Sequence, residues 1–102
     1  MAYGDDEAWT TLADRNRRWI LTELAEGERT VGELTQALPI TQPAVSQHLK
    51  VLKHVGLVDD RAQGTRRIYR LNEAGVSALR DQLDTFWRRT MSGFENLMKE
   101  EE

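Results

Sequence analysis

Residues 38–56, LPITQPAVSQHLKVLKHVG, carry the start and the stop of one helix in a single run. Thr41 stands where an N-cap hydroxyl accepts from a free backbone N–H of the first turn. Pro43 falls inside that turn, where its missing N–H costs little. Gly56 follows the last periodic residue and suits a left-handed C-cap. Between these marks Val45, Leu49, Leu52 and Val55 recur at spacings of four, three and three, which is one face of a helix. The other face carries Gln42, Ser46, Gln47, Lys50 and Lys53, none of them acidic in a chain of net charge -3. Such a face is equipped for a DNA major groove. Gln pairs with adenine edges, Ser bonds base edges or phosphate, and Lys suits phosphate or guanine. An ordinary surface helix also carries Gln, Ser and Lys, so the flanking segments must decide.

Upstream, Thr30-Val31-Gly32-Glu33 is a T-x-x-E capping box. It predicts a helix through Ala37 with Val31, Leu34 and Leu38 facing the core. Pro39 stops it. About three residues then lead to Thr41, so the two helices must meet at a sharp angle, as a helix-turn-helix. Before it, Asp14 is the expected N-cap of a helix over residues 15–26 that Gly27 ends. Trp19, Ile20, Leu24 and Leu21 form its predicted buried stripe. Arg15, Arg17 and Arg18 crowd its first turn, the end of the dipole that disfavours cations. A local rule broken in this way marks a phosphate contact or else a solvated cluster. Residues 8–13 read as a short helical segment presenting Trp9, Leu12 and Ala13.

Downstream of Gly56 the period changes. Residues 57–71 form two strand-like runs around Gln63-Gly64-Thr65, with alternation clearest in Arg67, Tyr69 and Leu71. Gly64 supplies the positive φ of the turn. A hairpin after a helix-turn-helix is a wing, and this one carries Arg61, Arg66, Arg67 and Arg70. Contact with neighbouring phosphates or a minor groove is favoured over the plainer reading, a charged edge that guards against aggregation. Asn72 then caps a long helix to about residue 98. Val76, Leu79, Leu83, Phe86, Trp87, Met91, Phe94 and Leu97/Met98 recur along it at three and four residues. Its length, about 39 Å at 1.5 Å per residue, exceeds what a domain this small can cover. The part from Val76 to Leu83 is expected to cover the core. The aromatic part beyond marks an interface, with the same helix of a second copy and the Trp9 segment alongside.

The totals exclude several classes. The 102 residues suit one domain, with dimerisation elements near residues 5–13 and 73–98. There is no cysteine, hence no disulfide, thiolate metal site or thiol switch. No His-plus-carboxylate grouping or Gly-rich phosphate loop suggests an enzyme. No membrane span is present, and the acidic first residues lack the pattern of a signal peptide, so the expected location is the cytoplasm. Charge is unevenly spread: residues 41–70 hold six cations against two carboxylates, while both ends are acidic. The acidic C-terminal end is expected to fray.

Taken in order, these segments resemble the ArsR family of winged-helix transcriptional repressors. The resemblance lies in Leu12-Ala13-Asp14 with Arg17-Arg18-Trp19-Ile20-Leu21, then Thr30-Val31-Gly32-Glu33-Leu34, then residues 42–52, then Gly56-Leu57-Val58, then residues 64–71. It covers roughly residues 8–90 and implies a winged helix, mainly α with a two-stranded β wing and a long C-terminal dimerisation helix. It also implies a homodimer, joined through the first and last helices, that blocks transcription from a short palindromic operator. In the family pattern Gln42, Pro43, Ser46 and Gln47 would read bases. Thr41 and Lys50 would add phosphate contacts, and the wing arginines Arg61, Arg66 and Arg67 would follow. His48 lies toward the buried side and is read as packed or hydrogen-bonded. The dimer residues would be Trp9, Leu12, Leu83, Phe86, Trp87, Met91 and Phe94.

Metal-sensing relatives use cysteines on the third helix or His and carboxylates on the last. Residues 33–38 here hold no Cys, and the long helix has no His. The chain therefore looks like the metal-independent branch, with no cofactor expected. Trp9 and Trp87 could border a small apolar effector at the dimer interface, although such residues more often just pack. The competing function is a winged-helix module that binds protein through its last helix. The carboxylate-free recognition face argues against it.

Overall fold

The computed structural model describes residues 3–100, with side chains from Ala8 onward; the acidic side chains of residues 5–7 and the last two residues lie outside the described part. Among the described residues the order is α1 (Tyr3–Leu12), α2 (Arg15–Glu26), β1 (Arg29–Thr30), α3 (Val31–Ala37), α4 (Gln42–His54), β2 (Val58–Gln63), β3 (Arg66–Leu71) and α5 (Glu73–Glu100).

Each helix after α1 begins at the cap its sequence supplies. The Asp14 carboxylate accepts from the N–H groups of Asn16 at 2.8 Å and Arg17 at 3.2 Å. Thr30 and Glu33 close the capping box reciprocally, at 3.1 and 2.9 Å. Thr41 Oγ1 accepts from Ala44 N at 3.3 Å, and Asn72 Oδ1 from Gly75 N at 3.0 Å. Such caps are worth about 1 kcal/mol each. Gly56 takes φ +83° just past α4, the left-handed turn for which glycine is suited.

The core gathers Ile20 and Leu24 from α2, Leu34 from α3, Val45, Leu49 and Leu52 from α4, and Leu57 and Val58 at the entry to β2. Leu21, Val31, Leu38 and Val55 pack at its margin. Trp19 departs from expectation. It is only half-buried, and the Arg15 guanidinium lies 5.6 Å from its ring centroid. One helical step turns about 100°, so Trp19 and Ile20 cannot share one buried line.

The wing hairpin forms as expected, antiparallel from Val58↔Leu71 to Gln63↔Arg66, with Gly64 at φ +63° in the turn. The sheet has a third strand, however. β1 pairs with the other edge of β3 through Arg29↔Tyr69 and Thr30↔Ile68, in the order β1-β3-β2. Two residues are too few to show a period of two, and Thr30 already serves as the cap of α3. Its strand role was therefore hidden.

α5 runs 28 residues. Its start presses on the turn after α4: a Cβ on Gly75 would lie 1.8 Å from the Gly56 carbonyl oxygen. From there it leaves the domain, which corrects the expectation that residues Val76 to Leu83 cover the core. Leu79 packs on the core, but Val76 stays 37% and Leu83 41% exposed. A straight helix fixed at one end by a backbone contact follows a tangent, and a small core curves away beneath it. α1, longer than the segment read from sequence, braces α5 instead. Trp9 meets Phe86 edge-on at 5.4 Å, and its indole N–H donates to Gln82 Oε1 at 3.4 Å.

The Gly75 contact is backbone against backbone and leaves no rotamer to yield. Gly75→Ala should lower stability by about 2–3 kcal/mol despite the better helix propensity of alanine. Urea unfolding midpoints measure it, and an unchanged or raised midpoint would refute the close approach.

Candidate nucleic-acid interface

Burial of Val45, Leu49 and Leu52 turns the opposite side of α4 outward. Gln42, Pro43, Ser46, Gln47 and Lys50 are all exposed there, and α4 contains no carboxylate. Thr41 is exposed too. One lone pair of its hydroxyl serves the cap, so its O–H remains a donor toward an outside acceptor. Lys53, further along, is tied to Asp60 at 2.8 Å. His48 turns inward, where its Nδ1 accepts from Arg17 Nε at 3.2 Å. The structure thus makes it a hydrogen-bonded histidine, as its position in the helix suggested.

The arginine cluster that opens α2 serves contacts within the chain. Arg17 bonds His48, Arg18 Nη1 donates to the Leu12 carbonyl at 2.7 Å, and Arg15 covers Trp19. Nearby, burial alone would raise the Asp14 carboxyl. The N–H donors of Arg17 and Asn16 outweigh it and hold the group below its ordinary value.

The wing is less free than its arginine count implies. Arg67 Nε donates to Asp60 at 2.7 Å, Arg70 Nε to Asp59 at 2.6 Å, and Arg61 pairs with Glu28. Asp60 receives Lys53 and Arg67 together, and its side chain is 5% exposed. Hydrogen bonds from Lys53 and Arg67 hold its carboxyl below the ordinary value, and one from Arg61 does the same for Glu28. The cross-strand pairs Asp59↔Arg70 and Asp60↔Tyr69 put these carboxylates beside the β3 arginines. Among the described residues the Arg66 side chain makes no hydrogen bond or ion pair, while its backbone pairs with Gln63 across the hairpin. It stands exposed at the start of β3, beside the Gly64-Thr65 turn.

An open groove of about 580 Å³ lies between α3 and the wing and reaches the first residue of α4. Gln36, Gln42, Thr65 and Arg66 are among its walls. Sequence marks Thr65 only as a turn residue and Gln36 not at all, because nothing local identifies an exposed polar residue as facing a groove.

The expected dimer residues are brought together on one side of α5 and α1, with one exception. Trp9, Leu83, Phe86, Trp87, Met91 and Phe94 are exposed, Trp87 and Phe94 each by 54%. Leu12 instead packs against the intramolecular core. Trp9 and Trp87 both lie edge-on to Phe86, at 5.4 and 5.3 Å, which is packing geometry. Among the described residues no group of three His, Cys, Asp or Glu is placed to share a metal ion, and no helix is long and apolar enough to cross a membrane.

Comparison with known proteins agrees with this layout. The family described as bacterial regulatory protein, arsR family, matches residues 14–60. The HTH-type transcriptional regulator Rv2034 of Mycobacterium tuberculosis is 53% identical over 94% of this chain and 90% of its own length. The biofilm growth-associated repressor of Agrobacterium fabrum is 42% identical over 72% of this chain and 62% of its own. A solution structure of the homodimeric winged helix-turn-helix DNA-binding domain Mb0332 from Mycobacterium bovis superposes with a TM-score of 0.69. It is 31% identical and covers 86% of this chain and 82% of that one.

The doubly held Asp60 makes a test with a defined sign. Its folded-state pKa lies below the unfolded one, so its contribution is present above the ordinary value of 3.8 and is lost as pH falls through the folded value. Asp60→Asn should cost about 1 kcal/mol at neutral pH, the cations being largely solvated. The gap from wild type should close in strong acid. Urea midpoints at both pH values decide it, and a gap that persists in acid would exclude the ion-pair origin.

Proposed function

The chain belongs to the ArsR family of bacterial regulatory proteins, and from that premise we propose that it is a homodimeric repressor that covers a short palindromic operator. The chain is a DNA-binding transcriptional regulator of winged-helix type. The observation that carries the proposal is the exposed, carboxylate-free face of α4 beside an unpaired Arg66. Gln42, Ser46 and Gln47 are assigned to base edges, and Pro43 to apolar contact such as a thymine methyl. The Thr41 O–H, Lys50 and Arg66 are assigned to phosphates. Arg61 and Arg67 join only by exchanging a carboxylate for a phosphate, so their share is smaller.

The second protomer is assigned to the apolar side of α5 with Trp9, through Leu83, Phe86, Trp87, Met91 and Phe94. Support comes from the homodimeric state of the Mycobacterium bovis domain. Two-fold symmetry then places two α4 helices in successive major grooves, about 34 Å apart, and requires a palindromic site. Repression is supported by the name of the Agrobacterium relative. An operator of this kind places the protein in the cytoplasm. Catalysis is no part of the proposal.

Selection from a random-sequence duplex library with the wild-type protein tests the reading. A selected site should bind about 10³-fold or more above random duplex. Failure to enrich any sequence would leave a winged helix that serves protein contacts. Ser46→Ala with Gln47→Ala should cut that preference at least tenfold while sparing binding to random duplex. Arg66→Ala should weaken all DNA alike and flatten the log–log salt slope by about 0.9 per lost phosphate contact. Arg67→Ala should do so less.

A further inference from the structure

α4 is seated in the domain by two kinds of contact. Its apolar stripe, Val45, Leu49 and Leu52, is held by burial, which is non-directional and tolerates a small roll of the helix about its axis. The bond from Arg17 Nε to His48 Nδ1 is directional. It joins residues 31 apart in sequence, and His48 directly follows Ser46 and Gln47. Arg17 itself is well fixed. Its backbone N–H is bonded to Asp14 Oδ1, and the neighbouring Arg18 ties α2 to the Leu12 carbonyl at the end of α1.

We propose that Arg17 and His48 are positioning residues for base reading. By donating to Nδ1 of His48, the Arg17 guanidinium fixes the roll of α4, and with it the reach of Ser46 and Gln47. The inference rests on the operator-reading function proposed above. Its chemistry is asymmetric. Guanidinium is a donor only, so Nδ1 must keep its lone pair. A side chain at position 48 that offers no acceptor there should therefore weaken base reading.

From the α2 side Arg17 and Asp14 face His48. The one charged residue of α3, Glu33, is engaged in its capping box. On β2, Asp60 is held by Lys53 and Arg67, Asp59 by Arg70, and Arg61 by Glu28. On α4 itself Lys50 and Lys53 lie on the outer side and His54 in the last turn.

The test uses the full chain and a duplex that the wild-type protein has enriched from a random library. The readout is the ratio of Kd for random duplex to Kd for the enriched one, in the same salt. General charge effects cancel in this ratio. His48→Leu and Arg17→Ala should each lower it about tenfold, the size of one lost charge-assisted hydrogen bond. His48→Asn puts an amide oxygen near the Nδ1 position, keeps an acceptor for Arg17 and should keep the wild-type ratio. Should Arg17→Ala fail to fold, the asparagine and leucine variants decide the matter between them. An asparagine variant that falls with the leucine variant, or a leucine variant that reads like wild type, overturns the positioning role while leaving operator reading intact. Enrichment of no sequence by the wild-type protein overturns both.

Discussion

One-sided burial of α4 is the constraint on which the rest depends. Val45, Leu49 and Leu52 lie within the core, and each contributes about 1.5–3 kcal/mol by leaving water. A helix that buries one stripe must expose the other. Gln42, Ser46, Gln47 and Lys50 are therefore outside whatever they contact. α2 and α3 supply the apolar wall, and the short turn after Pro39 brings α4 against it. Directional polar contacts, the caps and the Arg17–His48 bond, then narrow an arrangement that burial alone would leave loose.

Electrostatics on the wing works in the opposite sense. Arginines along one hairpin repel one another, and three of them are each answered by a carboxylate: Arg61 by Glu28, Arg67 by Asp60 and Arg70 by Asp59. The pairs hold the hairpin against the domain, since Asp60 also holds Lys53 of α4 and Glu28 comes from the segment before β1. Arg66 of the wing and Lys50 of α4 stay outside such pairs, on the same side as the α4 residues proposed to read bases. A chain of overall negative charge can thus present a small positive surface, because screening over roughly 8 Å makes charge a local matter.

α5 poses a different problem. Its apolar residues recur over its full length, but the domain beneath it ends early. The Gly75–Gly56 approach and the Trp9–Phe86 contact fix its direction, and the rest projects from a molecule 65 Å long. An amphipathic helix left in this way is stable only with another surface against it. That requirement is why dimerisation and DNA binding are linked in the reading proposed here: the helix that would join the protomers also sets the spacing of their α4 helices.

Most of the secondary structure was legible along the chain. Asp14, Thr30, Thr41 and Asn72 start their helices, Gly56 and Gly64 turn the chain, and the spacing of Val45, Leu49 and Leu52 picks out the buried face. These features act between residues three or four apart, so they are written in neighbouring letters. The candidate face of α4 followed from the same spacing, and so did the inward turn of His48. Tertiary structure alone decided the remainder. It added β1 to the sheet, left Trp19 under Arg15, packed Leu12 inward, released Val76 and Leu83 from the core, and matched Arg17 to His48 and Arg61 to Glu28 across 31 and 33 residues. Each of these depends on strand register or on the direction in which a helix leaves its neighbour. Composition and periodicity do not encode such directions, because a charge or an apolar face looks the same in sequence whether or not a distant partner is brought to meet it.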